Sequence, residues 1–242
     1  MKGILRALRS LVLWTAALPV FAVCCLLVLI AASVFSGPKL ETLIKTCCRL
    51  VLLACGIRVR VHGRENHLPG NRYIAVMNHV NFFDPLVFYA GFPGMARGIE
   101  EESHFRWPLY GAVLRRIGMI PVNRKDRGKA RVSLRRAADL IRNRRDFSFV
   151  VLPEGTRTPD GRLMPFKPGA FLLATGSGLD ILPVVQTGAR RINRKGSLAI
   201  RPGRVDLHIE PPVSVAGFPT DDIQPLMNHV RNIFLHLLET AP

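Results

Sequence analysis

A long uncharged stretch lies near the start of the chain, and short apolar runs separated by amphipathic segments follow it. Leu11 to Ser36 contains no charged residue. At about 1.5 Å per residue, a helix of this length can cross a hydrocarbon layer about 30 Å thick. A second apolar segment, Leu40 to Ala54, is interrupted by charges, which is typical of an interfacial helix or of one packed on the first. Residues 1–55 therefore predict a pair of membrane-anchoring helices.

The sequence leaves the orientation of the first helix open. Pro19 predicts a kink, so a bent segment lying in one leaflet competes with a full span. Lysine and arginine residues flank the apolar run on both sides, so the flanking charges do not set a direction. A cleaved signal peptide is a weaker alternative, because its apolar region normally has only about 7–15 residues.

From Gly56 onward the pattern predicts strands separated by helices. The predicted strands are Ile57–Val61, Tyr73–Met77, Met119–Val122, Phe147–Leu152, Ile181–Gln186, Leu198–Arg201 and Val205–Ile209. The predicted helices are Pro85–Ala90, Trp107–Arg116, Gly128–Arg144, Gly169–Gly176 and Asp222–Glu239. Apolar strands that alternate with helices indicate an α/β fold with a mostly parallel central sheet flanked by helices. We therefore expect one α/β domain over residues 56–242.

Composition narrows the class of protein. The chain has 242 residues, and 48% of them are hydrophobic, which is enough for a sizeable core. The formal charge of +17 favours an anionic partner: nucleic acid, acidic lipid head groups, or a phosphorylated or acidic ligand. All five cysteines lie in the predicted anchor: Cys24, Cys25, Cys47, Cys48 and Cys55. Their spacing indicates neither a disulfide framework nor a zinc site.

A histidine and a carboxylate follow the predicted strand Tyr73–Met77. His79 and Asp84 are five residues apart, which in a continuous helix would leave them about 140° apart around the axis. A turn is therefore needed, and Asp84-Pro85 predicts one, with Asp84 as the N-cap of a new helix. The chain has no G-x-S-x-G elbow, and its cysteines lie elsewhere. We interpret His79 as a base that deprotonates a hydroxyl of the substrate.

Basic residues follow three other predicted strands. Arg157 comes after Phe147–Leu152, Arg190 and Arg191 come after Ile181–Gln186, and Arg124 comes after Met119–Val122. The carboxyl ends of parallel strands open on one edge of a sheet, where ligands bind, and guanidinium groups hold phosphate in a bidentate manner. We therefore expect an anion site beside His79. A surface Arg157 paired with Glu154 is the alternative.

Four blocks in this order resemble the PlsC-type glycerolipid acyltransferase family. They are Asn78-His79-Val80-Asn81-Phe82-Phe83-Asp84, Gly118 to Arg124, Pro153-Glu154-Gly155-Thr156-Arg157-Thr158 with Phe166-Lys167-Pro168-Gly169-Ala170, and Ile181-Leu182-Pro183-Val184-Val185. The resemblance implies that His79, oriented by Asp84, activates the free hydroxyl of a lysophospholipid for attack on an acyl thioester. It also implies that the acceptor is bound by Asn78, Arg124, Glu154, Gly155, Thr156, Arg157 and Lys167.

The reaction implied by the resemblance moves a fatty acyl group from acyl-CoA or acyl-carrier protein to 1-acylglycerol-3-phosphate. The product is phosphatidic acid, an intermediate of phospholipid biosynthesis, and no cofactor or metal is expected. We expect the enzyme at the cytoplasmic membrane, with its catalytic domain facing the cytoplasm and no nucleic acid as partner. Two other classes compete: a basic membrane-tethered protein that binds anionic lipid or nucleic acid, and a thioester hydrolase.

The chain departs from the family pattern at Glu100-Glu101-Glu102, where many relatives carry lysine near the phosphate site. An acidic triplet there would weaken the binding of a phosphomonoester unless it points away or pairs with Arg97 or Arg106. A different lysolipid acceptor, for example a lyso-aminolipid, therefore stays open.

Overall fold

A computed structural model of the chain describes residues 2–123, 125–219 and 222–240. The strands within these residues are β1 (Ile57–His62), β2 (Ile74–Met77), β3 (Ala96–Glu101), β4 (Ile120–Val122), β5 (Ser148–Val151), β6 (Ile181–Thr187) and β7 (Gly203–Ile209). The helices are α1 (Lys2–Val34), α2 (Gly37–Ala54), α3 (Asp84–Gly91), α4 (Tyr110–Ile117), α5 (Arg127–Asn143), α6 (Gly169–Ser177), α7 (Ala189–Ile192) and α8 (Gln224–Thr240).

The strands form one sheet in the order β1-β7-β6-β2-β5-β3-β4. Every neighbouring pair is parallel except β6–β7. The predicted α/β class with a mostly parallel sheet is therefore confirmed. The three strands expected to carry the site, β6, β2 and β5, are direct neighbours at the centre of the sheet.

The central strand β2 shows why the sheet is covered on both faces. All four of its residues are fully buried. Ile74 and Val76 pack into the core formed with α5, α6 and α8, whereas Ala75 and Met77 pack into the core that includes α1 to α4. Because side chains of a strand alternate between faces, a continuous apolar run requires a helical layer on each side.

The membrane-type helix α1 lies against the α/β domain. It is the one helix of the described residues that is long and apolar enough to cross a membrane, and it continues through Pro19. The Trp14 indole donates to the Leu198 carbonyl at 2.8 Å, and near the end of α1 Arg116 donates to the Ala32 carbonyl at 2.5 Å. The predicted helical pair therefore shares a core with the sheet.

One strand prediction was wrong, and one strand was missed. Leu198–Arg201 is a loop, because its backbone bonds to α1 instead of to a strand: the Ile200 N–H donates to Ser10 Oγ at 3.1 Å. In contrast, β3 was not predicted. It carries Arg97 and Glu100, which are buried and paired with side chains of other elements, so its sequence has the polar pattern of a loop.

Candidate active site

The predicted edge of the sheet is the place where the candidate residues meet. β2, β5 and β6 run parallel side by side, so their carboxyl ends open on the same edge. His79 follows β2, Glu154 follows β5, and Ala189 follows β6. The backbone connects the first two segments, since the Thr158 N–H donates to the His79 carbonyl at 2.9 Å. The sequence prediction that these three segments converge is confirmed.

His79 and Asp84 form a hydrogen-bonded pair. His79 Nδ1 lies 2.7 Å from Asp84 Oδ2, and the Asp84 carboxylate is completely buried, whereas 12% of the His79 side chain is exposed. A carboxylate accepts a hydrogen bond, so the proton of the neutral ring is held on Nδ1 and the lone pair of Nε2 is available. This is the arrangement of a general base whose tautomer is fixed by a carboxylate.

The turn between the two residues is held by Asp84 in an unexpected way. The Asp84 carboxylate accepts the backbone N–H groups of Val80, at 2.6 Å, and of Asn81, at 3.0 Å. It therefore stabilises the preceding turn, and the prediction that it caps α3 was wrong. α3 does begin at Asp84, with Pro85 in its first turn as predicted.

Asn81 also fixes the turn, and the sequence reasoning missed its role. Its Oδ1 accepts the Phe83 N–H at 2.8 Å, and its Nδ2 donates to the Ala189 carbonyl at 2.7 Å. The side chain thereby ties the His79 turn to the segment after β6. The sequence does carry a signal for this role, because asparagine side chains often accept a hydrogen bond from the backbone N–H two residues later and so stabilise a turn.

Glu154 lies beneath His79. Only 2% of Glu154 is exposed, and its two carboxylate oxygens accept the backbone N–H groups of His79, at 2.5 Å, and Met164, at 2.8 Å. Burial raises the pKa of Glu154 to about 7, against the opposing effect of these two N–H donors. The geometry makes Glu154 a support for the His79 backbone, while its predicted contact with the acceptor stays a prediction.

Asn78 is likewise bonded to the protein. Its Oδ1 accepts the Gln186 N–H at 2.8 Å, and its Nδ2 donates to the Gln186 carbonyl at 3.1 Å. Only 3% of Asn78 is exposed. The amide pins the end of β2 to the end of β6, and its predicted role in binding the acceptor stays a prediction.

His79 opens onto a cavity of about 590 Å³. One part of its wall carries four of the predicted binding residues, namely Gly155, Thr156, Arg157 and Lys167. Gly155 has φ +69°, a left-handed conformation that favours glycine, and it lies against the flexible end of the Lys167 side chain. The cavity wall therefore carries two cations, Arg157 and Lys167, which suits a phosphate. Arg124, also predicted here, lies outside the described residues.

Another part of the cavity wall was not predicted. Glu100, His104 and Trp107 line it, together with Trp14 and Phe21 of α1. The Glu100 carboxylate accepts a hydrogen bond from His104 Nδ1 at 2.8 Å. One glutamate of the acidic triplet, which departs from the family pattern, therefore has a side-chain partner four residues later in the chain. Arg97 forms a buried ion pair with Glu41 at 2.9 Å. The spacing of Glu100 and His104 was the available sequence signal.

A smaller apolar cavity of about 80 Å³ adjoins the large one. Phe21, Val51 and Leu86 line both cavities. Four buried thiols line the smaller one: Cys24, Cys25, Cys47 and Cys48. The two cavities therefore share part of their walls, and the smaller one lies between α1, α2 and α4.

Comparisons with known proteins agree with this site. A family model described as Acyltransferase matches residues 58–187. A 1-acyl-sn-glycerol-3-phosphate acyltransferase alpha from Mus musculus is 32% identical over 192 residues, which cover 77% of this chain and 67% of the relative. A 1-acyl-sn-glycerol-3-phosphate acyltransferase from Borreliella burgdorferi is 28% identical over 198 residues, covering 82% and 78% of the two chains.

The crystal structure of PlsC, a 1-acyl-sn-glycerophosphate (LPA) acyltransferase from Thermotoga maritima, has the same fold. It superposes over the whole of both chains with a TM-score of 0.83 at 24% sequence identity. The matched family segment contains β1 to β6, and with them the His79–Asp84 pair and the Glu154 loop. This chain therefore belongs to the acyltransferase family.

Proposed function

We propose that the protein transfers a fatty acyl group from a thioester donor, acyl-CoA or acyl-carrier protein, to the free hydroxyl of 1-acylglycerol-3-phosphate. The product is phosphatidic acid, which places the enzyme in phospholipid biosynthesis. The observation that carries the proposal is the His79–Asp84 pair at 2.7 Å, in a cavity that also holds Arg157 and Lys167. The relatives named for this activity support the same acceptor.

The geometry defines the proton movements of the reaction. His79 Nε2 takes the proton of the acceptor hydroxyl while the hydroxyl oxygen attacks the carbonyl carbon of the thioester. The carbon–sulfur bond then breaks, and the leaving thiolate takes the proton from the His79 imidazolium. An ester and a free thiol result, and His79 returns to its starting form. Asp84 stabilises the intermediate imidazolium, because its buried charge lies against Nδ1 throughout.

The cavity has a polar part that suits the acceptor phosphate and an apolar part that suits an acyl chain. Arg157, Lys167 and the turn at Gly155 face the space in which an acceptor phosphate is bound. The apolar part of the large cavity's wall, which includes Phe21 and Val51, suits an acyl chain, since burial of methylene groups is favourable by about 0.8 kcal/mol each. The reacting carbonyl then lies between a polar and an apolar compartment, at His79.

The experiment that tests the proposal is a matrix of donors and acceptors with the purified full chain in lipid vesicles, read by mass spectrometry of the lipid products. We expect phosphatidic acid only when a thioester donor and 1-acylglycerol-3-phosphate are both present. His79→Ala should abolish the product while leaving folding and membrane association unchanged. His62→Ala is the matched control, because His62 also pairs with a carboxylate, Asp206 at 2.9 Å, on strands β1 and β7.

Three outcomes would contradict the proposal. Release of CoA without an acceptor would indicate a thioester hydrolase. Binding of lipid or nucleic acid without any acyl product would indicate a binding protein. Wild-type turnover in His79→Ala would show that His79 is not the base. A product formed only from a lyso-aminolipid would retain the mechanism but replace the acceptor.

A further inference from the structure

The cavity contains a second histidine–carboxylate pair besides His79 and Asp84. Glu100, near the end of β3, accepts from Nδ1 of His104 at 2.8 Å. Glu100 is 7% exposed, whereas 29% of the His104 side chain is exposed. Both residues line the cavity that His79 lines. The same chemical unit therefore occurs twice around one substrate space.

The surrounding structure holds the His104 ring in place. Trp107 lies against it with ring centroids 4.6 Å apart, and Glu100 Oε1 also accepts the Glu101 N–H at 3.0 Å. The following turn is tight: Leu109 has φ +58°, and the Tyr110 N–H donates to the Pro108 carbonyl at 2.5 Å. Such a conformation costs on the order of 1–3 kcal/mol and persists only where the surrounding contacts require it. The contacts around His104 and the turn that follows therefore define the position of its ring.

The bond to Glu100 decides which ring atom can meet a ligand. Nδ1 faces the carboxylate, so Nε2 is the nitrogen left for the cavity. To bind a phosphate oxygen, Nε2 must donate, and the charged ring then lies between two anions, Glu100 and the phosphate. His104 thereby presents a hydrogen-bond donor to a phosphate, on a wall that also carries Glu100.

We propose that His104 binds the phosphate of the lysolipid acceptor through Nε2, with Glu100 as its positioning residue. This rests on the proposed acyl transfer and adds a contact to those of Arg157 and Lys167, which line the same cavity. With its phosphate held by these residues, the acceptor presents its hydroxyl to His79. The sequence position that departs from the family pattern becomes part of acceptor recognition.

The test is steady-state kinetics of His104→Ala, His104→Gln and Glu100→Gln in vesicles, with the acceptor and the donor varied separately. We expect His104→Ala to raise the KM for 1-acylglycerol-3-phosphate about 10- to 100-fold, the effect of losing one charge-assisted hydrogen bond. The KM for acyl-CoA and kcat should change less than about threefold. His104→Gln should recover part of the affinity, because its amide nitrogen reaches the place of Nε2. Glu100→Gln should raise the same KM by a smaller factor.

His62→Ala is the matched control and should leave both KM values unchanged, since His62 pairs with Asp206 outside this cavity. An unchanged acceptor KM in His104→Ala would overturn the inference. A change confined to the KM for acyl-CoA would also overturn it, because the phosphate bound would then belong to the donor. Absence of transfer by the wild type on every acceptor would instead refute the proposed function.

Discussion

Replacing Asp84 with asparagine separates the charge of this residue from its structural contacts. The carboxylate accepts three donors through Oδ2: His79 Nδ1 at 2.7 Å, the Val80 N–H at 2.6 Å and the Asn81 N–H at 3.0 Å. An asparagine whose oxygen occupies the position of Oδ2 keeps all three. Its amide nitrogen replaces Oδ1 and loses one further contact, from the Asn81 N–H at 3.1 Å.

The expected effects on stability and rate differ strongly. One lost hydrogen bond lowers the free energy of unfolding by about 1 kcal/mol. The rate effect is larger, because Asp84 no longer stabilises the imidazolium of His79. Two unit charges about 4 Å apart interact by about 4 kcal/mol at an effective dielectric constant of 20, which corresponds to a rate loss of about 10³-fold.

The assay is acyl transfer from acyl-CoA to 1-acylglycerol-3-phosphate at saturating substrates, with chemical denaturation of the same preparations. Asp206→Asn is the control, because Asp206 accepts from His62 in a comparable pair on β1 and β7. It should retain wild-type kcat. If Asp84→Asn kept kcat within tenfold of the wild type while folding normally, the negative charge at this position would not be needed, and the role argued for Asp84 would be refuted.

Two further predictions concern buried charges. Burial raises the pKa of Glu154 to about 7, so the folded state holds this proton more tightly than the unfolded chain. As the pH rises from about 4.5 to 7, the free energy of unfolding of the wild type should fall by about 3 kcal/mol relative to that of Glu154→Gln. Chemical denaturation of both proteins at the two pH values measures this difference. Parallel pH profiles of the two proteins would contradict the prediction. Glu41→Ala leaves Arg97 buried without its partner and should cost about 3–5 kcal/mol, seen as a lower Tm. Arg142→Ala, which breaks an exposed pair, should cost less than about 1 kcal/mol.

The sequence was sufficient to predict the strands that are formed by runs of apolar residues. β2, β5 and β6 are continuous apolar runs buried on both faces, so their existence, their parallel pairing and their shared edge followed from the pattern. The turn between His79 and Asp84 was also predicted, because Asp-Pro favours the start of a helix. The direction of the Asp84 bonds was not, since a sequence does not show which backbone N–H groups a carboxylate will reach.

The missed features depend on contacts between distant residues. β3 has a polar sequence because Arg97 meets Glu41 of α2, 56 positions away, and this pairing is invisible in a local pattern. The segment Leu198–Arg201 has a strand-like composition but bonds to Ser10 and Trp14 of α1. The role of Glu154 is of the same kind, since its carboxylate binds the His79 backbone across 75 residues.

Helix α1 forms part of the wall of the candidate active site. Trp14, Ala17, Leu18 and Phe21 of α1 line the cavity into which His79 opens, so removal of this helix would remove one side of the substrate space. The domain bonds to α1 at Trp14 and at Ala32, about 27 Å apart along the helix, and α1 also carries exposed apolar side chains. A helix spanning the bilayer would draw the attached charged domain into the hydrocarbon, which is costly. The contacts therefore favour the alternative in which α1 lies along one leaflet, so that a lysolipid reaches His79 from the membrane beside it.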